Sequence, residues 1–171
     1  MRLSWPDIRR NAYAFSNRWK NEKIEQAGSQ SFWDEFFRVF GNDRLRVATF
    51  EHRVTKQRPT LPAGQVAEPE VALGRGRIDL FWPGELLVES KSRGKDLDRA
   101  YEQALEYVAG LPAYERPPFV IVSDFARLRR YDLRGRTTFP AAADHLEVPL
   151  AELGQHVRAF GFMAGYLAHT Y

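Results

Sequence analysis

Cysteine is absent from this chain of 171 residues, and methionine occurs only twice. Without cysteine there can be no disulfide framework, no thiolate metal site and no cysteine nucleophile, and a reducing compartment is favoured. No apolar run approaches the roughly 20 residues that a membrane-spanning helix needs, and the first residues lack the apolar stretch of a signal peptide. The sequence therefore predicts a cytoplasmic protein with no membrane partner, built as one domain over residues 1–171.

Charge and apolar content place few limits on function. The formal net charge is +3, and 44% of the residues are hydrophobic, which is enough to form a core in a domain of this size. A mildly basic chain is compatible with a nucleic-acid partner, because contacts with phosphates dominate such binding. Many proteins without such a partner are equally basic, so charge alone does not identify one.

The periodicity of apolar residues predicts an α/β fold in which two helices, at residues 6–26 and 30–40, precede the first strand. The first helix has an apolar stripe of Ile8, Ala12, Phe15 and Trp19. The second is capped by Ser29, and its many aromatic residues make it central to the core. The other predicted elements are strands at 46–54, 77–82, 85–92, 119–123 and 128–133, a helix at 96–109, a long loop at 55–76 and a broken helical pattern at 150–168. This order predicts a mixed central sheet flanked by helices.

Charged residues interrupt the two apolar strands of the predicted hairpin. Asp79 and Glu89 each lie in an apolar strand, where an unpaired carboxylate would cost several kcal/mol and is usually paired or bound to a metal ion. Glu89 and Lys91 are two residues apart on a strand and therefore share a face. Two carboxylates, with the backbone carbonyl of Ser90, offer the hard oxygen ligands that suit Mg²⁺ or, in its place, Mn²⁺. A lysine beside them could orient or deprotonate an attacking water, so the pattern predicts phosphodiester hydrolysis.

The hairpin must be irregular for this site to form. A two-residue turn at 83–84 would pair Asp79 with Val88 and place its carboxylate on the wrong face, whereas a three-residue loop or a bulge would restore it to the face of Glu89. The alternative is an Asp in a turn beside a surface Glu-x-Lys ion pair, which is common and contributes roughly 0–1 kcal/mol.

Three further residues are candidate accessory groups. Gln103 and Tyr107 lie four apart on one face of the helix after the hairpin, where they could contact phosphate or orient Lys91. A tyrosine packed on the core beside a solvated glutamine is the favoured alternative. Glu35 lies at the edge of the apolar arc of the second helix and could reach a metal site on the sheet, although an ordinary flanking glutamate is the favoured alternative.

Arginines cluster around the last predicted strand. Arg127, Arg129 and Arg130, together with Lys95 ahead of the helix at 96–109, are candidate contacts for DNA phosphates. The alternative for the arginines is a solvated edge strand that charge protects from aggregation.

Several segments of the sequence resemble the N-terminal nuclease domain of MmeI-like type IIL restriction–modification enzymes. They cover most of the chain, in the same order. The matching segments are SQSFW at 29–33, IDLFWPG at 78–84, LVESKS at 87–92, GKDL at 94–97, AYEQAL at 100–105, VIVSDF at 120–125 and FGFMAGY at 160–166. The long segment at 55–76 is a departure from the expected pattern.

The resemblance implies a PD-(D/E)XK (restriction-endonuclease-like) fold with its catalytic core at about 30–133. It places Asp79, Glu89 and Lys91 in the catalytic positions and implies a Mg²⁺-dependent DNA endonuclease. It also implies a larger enzyme that supplies methyltransferase and target-recognition domains, in cis or in trans. Cutting both strands would need two sites, so a dimer on DNA is expected. The alternatives are a non-catalytic DNA-binding or docking module with the same fold, and a nuclease acting on RNA or branched DNA.

Overall fold

In the computed structural model, which describes residues 2–22, 24, 26–59 and 74–166, six strands form one mixed sheet. The strands are β1 (Thr49–Thr55), β2 (Arg75–Trp82), β3 (Leu86–Ser90), β4 (Phe119–Ser123), β5 (Arg127–Asp132) and β6 (Leu146–Pro149). They lie in the order of the sequence, and all neighbours are antiparallel except β3 and β4. A parallel pair needs a long crossover, and the helix α4 (Leu97–Gly110) provides it.

Three helices precede β1: α1 (Trp5–Trp19), α2 (Gln26–Val39) and the single turn α3 (Arg44–Val47). Helix α1 begins where the Ser4 side chain accepts the Asp7 amide at 3.3 Å, with a proline in its first turn. Its predicted apolar stripe is buried, as the spacing required. No helix among the described residues combines the length and the apolar character needed to cross a membrane.

Two boundaries differ from those that the sequence predicted. Helix α1 ends at Trp19 rather than near residue 26, and α2 begins at Gln26 rather than at residue 30. Ser29 is therefore inside α2 and does not cap it. The prediction that α2 is central to the core is confirmed, since its aromatic side chains Phe32, Trp33, Phe36 and Phe37 are buried.

The sheet separates two apolar cores. Helices α1 and α2 and the 3₁₀ segments Leu150–Gln155 and Val157–Ala164 cover one face, and α4 covers the other. Strands β3 and β4 are buried on both faces, as is usual where a sheet lies between two layers of helix. The cluster against α1 and α2 is called here the first core and the cluster against α4 the second core.

The ends of the sheet hold most of the other differences. The strand predicted at 46–54 is preceded by α3, because Asp43 caps that turn by accepting the Leu45 amide at 3.1 Å. Strand β6 was not predicted, and the tail forms 3₁₀ turns instead of a broken α-helix. In the predicted loop at 55–76, β1 extends to Thr55 and β2 begins at Arg75, while residues 60–73 lie outside the described residues, as do 167–171.

Candidate active site

The hairpin between β2 and β3 has a three-residue connection. Its register pairs Leu80 with Val88 and Trp82 with Leu86, so residues 83–85 form the turn and Asp79 is level with Glu89. Gly84 in this turn has φ of +73°, which glycine adopts without a steric penalty. The prediction of an irregular hairpin is therefore confirmed, and the two acidic residues fall opposite each other.

Side chains replace the regular backbone ladder at this level of the hairpin. The amide of Asp79 donates to Glu89 Oε1 at 3.1 Å, and the amide of Ser90 donates to Asp79 Oδ2 at 2.8 Å. Each carboxylate is thus fixed by the backbone of the opposite strand. The two acidic groups are held in place by the sheet itself rather than by a flexible loop.

Both carboxylates have raised pKa values. Glu89 is only 2% exposed, and burial, followed by the negative charge of Asp79, raises its pKa to about 8. Burial also raises the pKa of Asp79, while the Ser90 amide and the positive charge of Lys91 act in the opposite direction. A buried and a partly buried carboxyl group that resist ionisation together form a site where a cation would be favourable.

Lys91 follows β3 and is held from two sides. Its amide donates to the Ser123 carbonyl at 2.8 Å, and its Nζ donates to Gln103 Oε1 at 2.8 Å. The Gln103 amide group in turn donates to the Tyr107 hydroxyl at 2.9 Å. The favoured alternative from the sequence is therefore wrong for Gln103, which is not simply solvated, and right for Tyr107, which packs on the second core. Both α4 residues belong to a hydrogen-bonded chain that ends on the lysine.

Tyr107 also packs closely on strand β2. A Cβ atom at Gly76 would lie 2.6 Å from the Tyr107 ring, so the ring occupies space that only glycine leaves free. Burial, then the charge of Glu89, raises the pKa of the Tyr107 hydroxyl. The hydroxyl therefore remains protonated near neutral pH and can take part in the hydrogen bonds described above.

Helix α2 contributes Trp33 to the site. The indole Nε1 donates to Ser90 Oγ at 2.9 Å, which fixes the residue between Glu89 and Lys91. A cleft of about 310 Å³ lies between the start of α2 and the sheet. It is lined by Ser29, Gln30 and Trp33 of α2, by Asp79, Ser90 and Lys91, and by Phe50, Glu51 and Phe125.

Glu51 of β1 is a third carboxylate at this cleft, and sequence reasoning missed it. Its neighbours pair as Phe50 with Leu80 and His52 with Ile78, so Glu51 is level with Asp79. Its φ of +54° is a strained conformation for a residue with a Cβ atom. Its negative charge is one of the contributions that raise the pKa of Asp79. In the sequence it reads as the outward residue of an alternating strand, which gives no sign of this role.

The faces of β1 and β2 switch at the level of Glu51 and Asp79. Phe50 packs on the first core, whereas His52, two residues later, contacts Phe81 of the second core with ring centroids 4.8 Å apart. In a regular strand both would share one face. The predicted single apolar face of β1 is therefore wrong, and the positive φ of Glu51 provides the physical reason.

Glu35 lies with α1 and not at the cleft. Its carboxylate accepts from Arg18 Nε at 3.0 Å and from the Trp19 indole. The edge of the apolar arc on α2 therefore faces α1 rather than the sheet. The structure does not bring Glu35 together with Asp79 and Glu89.

The arginines of β5 are held by groups of the protein itself. Arg127 and Arg129 both pair with Glu147 of β6, at 3.3 and 2.9 Å, and Arg129 also pairs with Asp98 at 2.5 Å. Arg130 is half-buried and donates to the carbonyl of Ala159 at 2.8 Å. These contacts explain the cluster without a phosphate. Lys95, by contrast, is exposed and borders a groove with Lys91 and Gln103.

The oxygen ligands at the cleft suit a magnesium ion. Within the described part of the chain, no three Asp, Glu or His side chains are arranged to hold a metal ion by themselves. Mg²⁺ is usually bound through one or two carboxylates, with water and substrate phosphates completing its shell. Asp79 and Glu89 fit that requirement because they lie beside each other, Glu89 buried and Asp79 partly buried, and both have raised pKa values.

Comparison with known proteins gives one family. Residues 10–171 match the family described as "MmeI, N-terminal domain". No curated protein matches the chain. Among solved structures, it is similar to a fragment assigned as the HsdR subunit of a type I restriction enzyme from Vibrio vulnificus YJ016, with 14% identity and a TM-score of 0.33. That similarity covers 83% of this chain but only 24% of the other, so this chain corresponds to about a quarter of it.

Proposed function

We propose that this chain, which belongs to the family of MmeI N-terminal domains and is therefore a restriction-enzyme nuclease-type domain, cuts DNA. In this proposal it is a Mg²⁺-dependent endodeoxyribonuclease of the PD-(D/E)XK type. The observation that carries the proposal is the arrangement of Asp79 and Glu89. Each carboxylate is fixed by the backbone of the opposite strand, Glu89 is buried and Asp79 partly buried, and a lysine held from α4 stands beside them. Such groups in an open cleft are costly for folding and useful for catalysis.

Asp79 and Glu89 would hold the metal ion, with the Ser90 carbonyl as a further ligand. When bound, Mg²⁺ supplies charge stabilisation to the phosphate and lowers the pKa of a water molecule. Lys91 is placed to orient the attacking water or to accept its proton. Gln103 and Tyr107 keep the lysine amine near the carboxylates, and Trp33 fixes Ser90, the residue that separates Glu89 from Lys91.

The wider setting of the domain is also proposed from the family. DNA in the cytoplasm is the substrate, and methyltransferase and target-recognition domains, in cis or in trans, choose where it is cut. Lys95 stands at the rim of the groove next to Lys91 and is placed to contact a phosphate. Cleavage of both strands requires a second copy of the site, so two copies meet on DNA.

Nicking of a supercoiled plasmid tests the proposal. The wild-type chain is incubated with Mg²⁺, with Mn²⁺ or with EDTA, beside Asp79→Asn, Lys91→Ala and the matched control Glu35→Gln, which removes a carboxylate away from the cleft. We expect nicking only with metal ion, its loss in the first two variants and its retention in the control. Nicking in EDTA, or by Asp79→Asn, would refute the assigned site.

A second measurement separates catalysis from DNA binding. Gel shift in EDTA is expected to show that Lys91→Ala still binds the plasmid, since only the reacting amine is lost. A wild-type chain that binds DNA but never cuts it with either metal ion would favour the non-catalytic binding module instead.

A further inference from the structure

Three arginines lie together on the ribbon that β1 and β2 form beyond the cleft. Arg53 is directly opposite Arg77 in the antiparallel register, and Arg75, opposite Thr55, is the next residue along the same face. All three side chains are exposed. Like charges directly opposite each other destabilise a sheet. Arg53, Arg75 and Arg77 are called here the arginine ribbon.

Among the described residues, no carboxylate neutralises the arginine ribbon, whereas several other arginines have acidic partners. Arg129 of β5 and Arg44 of α3 each pair with carboxylates at 2.5 to 2.9 Å. Within residues 2–22, 24, 26–59 and 74–166, no carboxylate forms an ion pair with a member of the arginine ribbon. A bound anion would compensate the repulsion that the described carboxylates leave in place.

The arginine ribbon shares its face with the acidic groups of the cleft. Ile78 is buried in the second core and Val54 packs against it, so Arg53 and Arg77 point to the opposite face. Asp79 lies at the switch of faces but lines the cleft on that same side, together with Trp33 and Phe50 of the first core. One step along this face covers two residues, or about 7 Å. The pair of Arg53 and Arg77 therefore lies one such step from the level of Glu51 and Asp79.

We propose that the arginine ribbon binds the phosphates that neighbour the cleaved phosphate on the same DNA strand. In this way it sets which phosphate reaches the carboxylates. The inference rests on the proposed nuclease function. A step of this size is comparable to the spacing of successive phosphates along one strand. Two guanidinium groups facing each other across the ribbon form a fork for one phosphate, and Arg75 is placed for the next.

Fluorescence anisotropy of a labelled DNA duplex in EDTA tests the arginine ribbon without cleavage. The wild-type chain is titrated at several salt concentrations, beside Arg53→Gln/Arg77→Gln and a matched control, Arg9→Gln/Arg38→Gln, which removes the same charge from exposed positions on α1 and α2. Losing the contacts to one phosphate reduces the slope of log K against log salt by about 0.9 and weakens binding about 8-fold at 0.1 M salt. The control should keep the wild-type slope.

Thermal unfolding tests whether the ribbon variant is correctly folded. Because the substitutions remove the repulsion, its unfolding midpoint should equal that of wild type or be higher. A slope and an affinity equal to those of the control would overturn the inference, even if the protein nicks plasmid. A wild-type chain that does not bind duplex at low salt would overturn it as well. A smaller slope of log K against log salt in the ribbon variant than in wild type supports the inference. If wild type then fails to nick plasmid with either metal ion, the nuclease proposal fails while the inference about DNA binding stands.

Discussion

Replacing Glu89 with glutamine should make the metal-free protein more stable above neutral pH. Glu89 binds its proton more tightly in the folded protein, where its pKa is about 8, than in the unfolded chain, where the ordinary value is 4.5. Between those values the folded state holds more protons than the unfolded state, so the free energy of unfolding falls as pH rises. At about 1.36 kcal/mol for each pKa unit, ionising Glu89 costs the folded state up to about 5 kcal/mol.

Urea unfolding in EDTA at several values between pH 5 and pH 9 measures this cost. The wild-type chain should lose stability across the window, and Asp79, whose pKa is also raised, adds a loss of the same sign. Glu89→Gln cannot ionise and should show a much flatter curve, which lies above that of wild type above neutral pH. Glu35→Gln, a carboxylate paired with Arg18, should follow the wild-type curve.

The second part of this test measures stability after metal ion is added. A ligand that binds only the folded state stabilises it in proportion to the logarithm of its concentration. Mg²⁺ or Mn²⁺ at pH 8 should therefore raise the stability of wild type and have little effect on Glu89→Gln. Wild-type and variant curves that fall in parallel in EDTA would refute the assignment of a buried, protonated carboxyl to this position.

Substitutions at three further positions have defined outcomes. Gln103→Ala should lower kcat in the nicking assay more than it changes KM. Gln103→Glu should recover part of the lost kcat, because its carboxylate can again hold Lys91. An equal loss of kcat in both variants would refute a positioning role. Trp33→Phe removes the hydrogen bond to Ser90 and should cost about 0.5–1.5 kcal/mol of unfolding free energy in urea; no loss would mean that the bond contributes nothing. Glu51→Gly relieves the strained backbone and should raise the thermal midpoint, by an amount corresponding to about 1 kcal/mol, and a lower midpoint would show that the strain is not stored there.

The layers of the fold follow from the sequence because they depend on local periodicity. The stripe of α1, the aromatic face of α2 and the apolar β3 and β4 each identify an element from residues close in the chain. The irregular hairpin also follows, since only an odd connection puts Asp79 level with Glu89. Helix ends were harder, because a capping residue such as Ser29 can equally lie inside a helix.

Other features depend on contacts between distant parts of the chain. Arg129 looks available for DNA until Asp98 and Glu147 are found beside it, 31 and 18 residues away in the sequence. The alternation of its neighbours makes Glu51 look like an outward-facing strand residue, because the sequence does not reveal its positive φ. The pairing of Glu35 with Arg18 could not be predicted, because the sequence does not say on which side of α2 helix α1 packs.

The contact between Gly76 and Tyr107 links residues on two separate elements. Any side chain at position 76 would displace the tyrosine ring, and the ring carries the hydroxyl that holds Gln103 and, through it, the lysine amine. Positions 76 and 107 should therefore evolve together: a relative with a larger residue at the first should have a smaller one at the second. Such a relative would also have to find another support for its lysine.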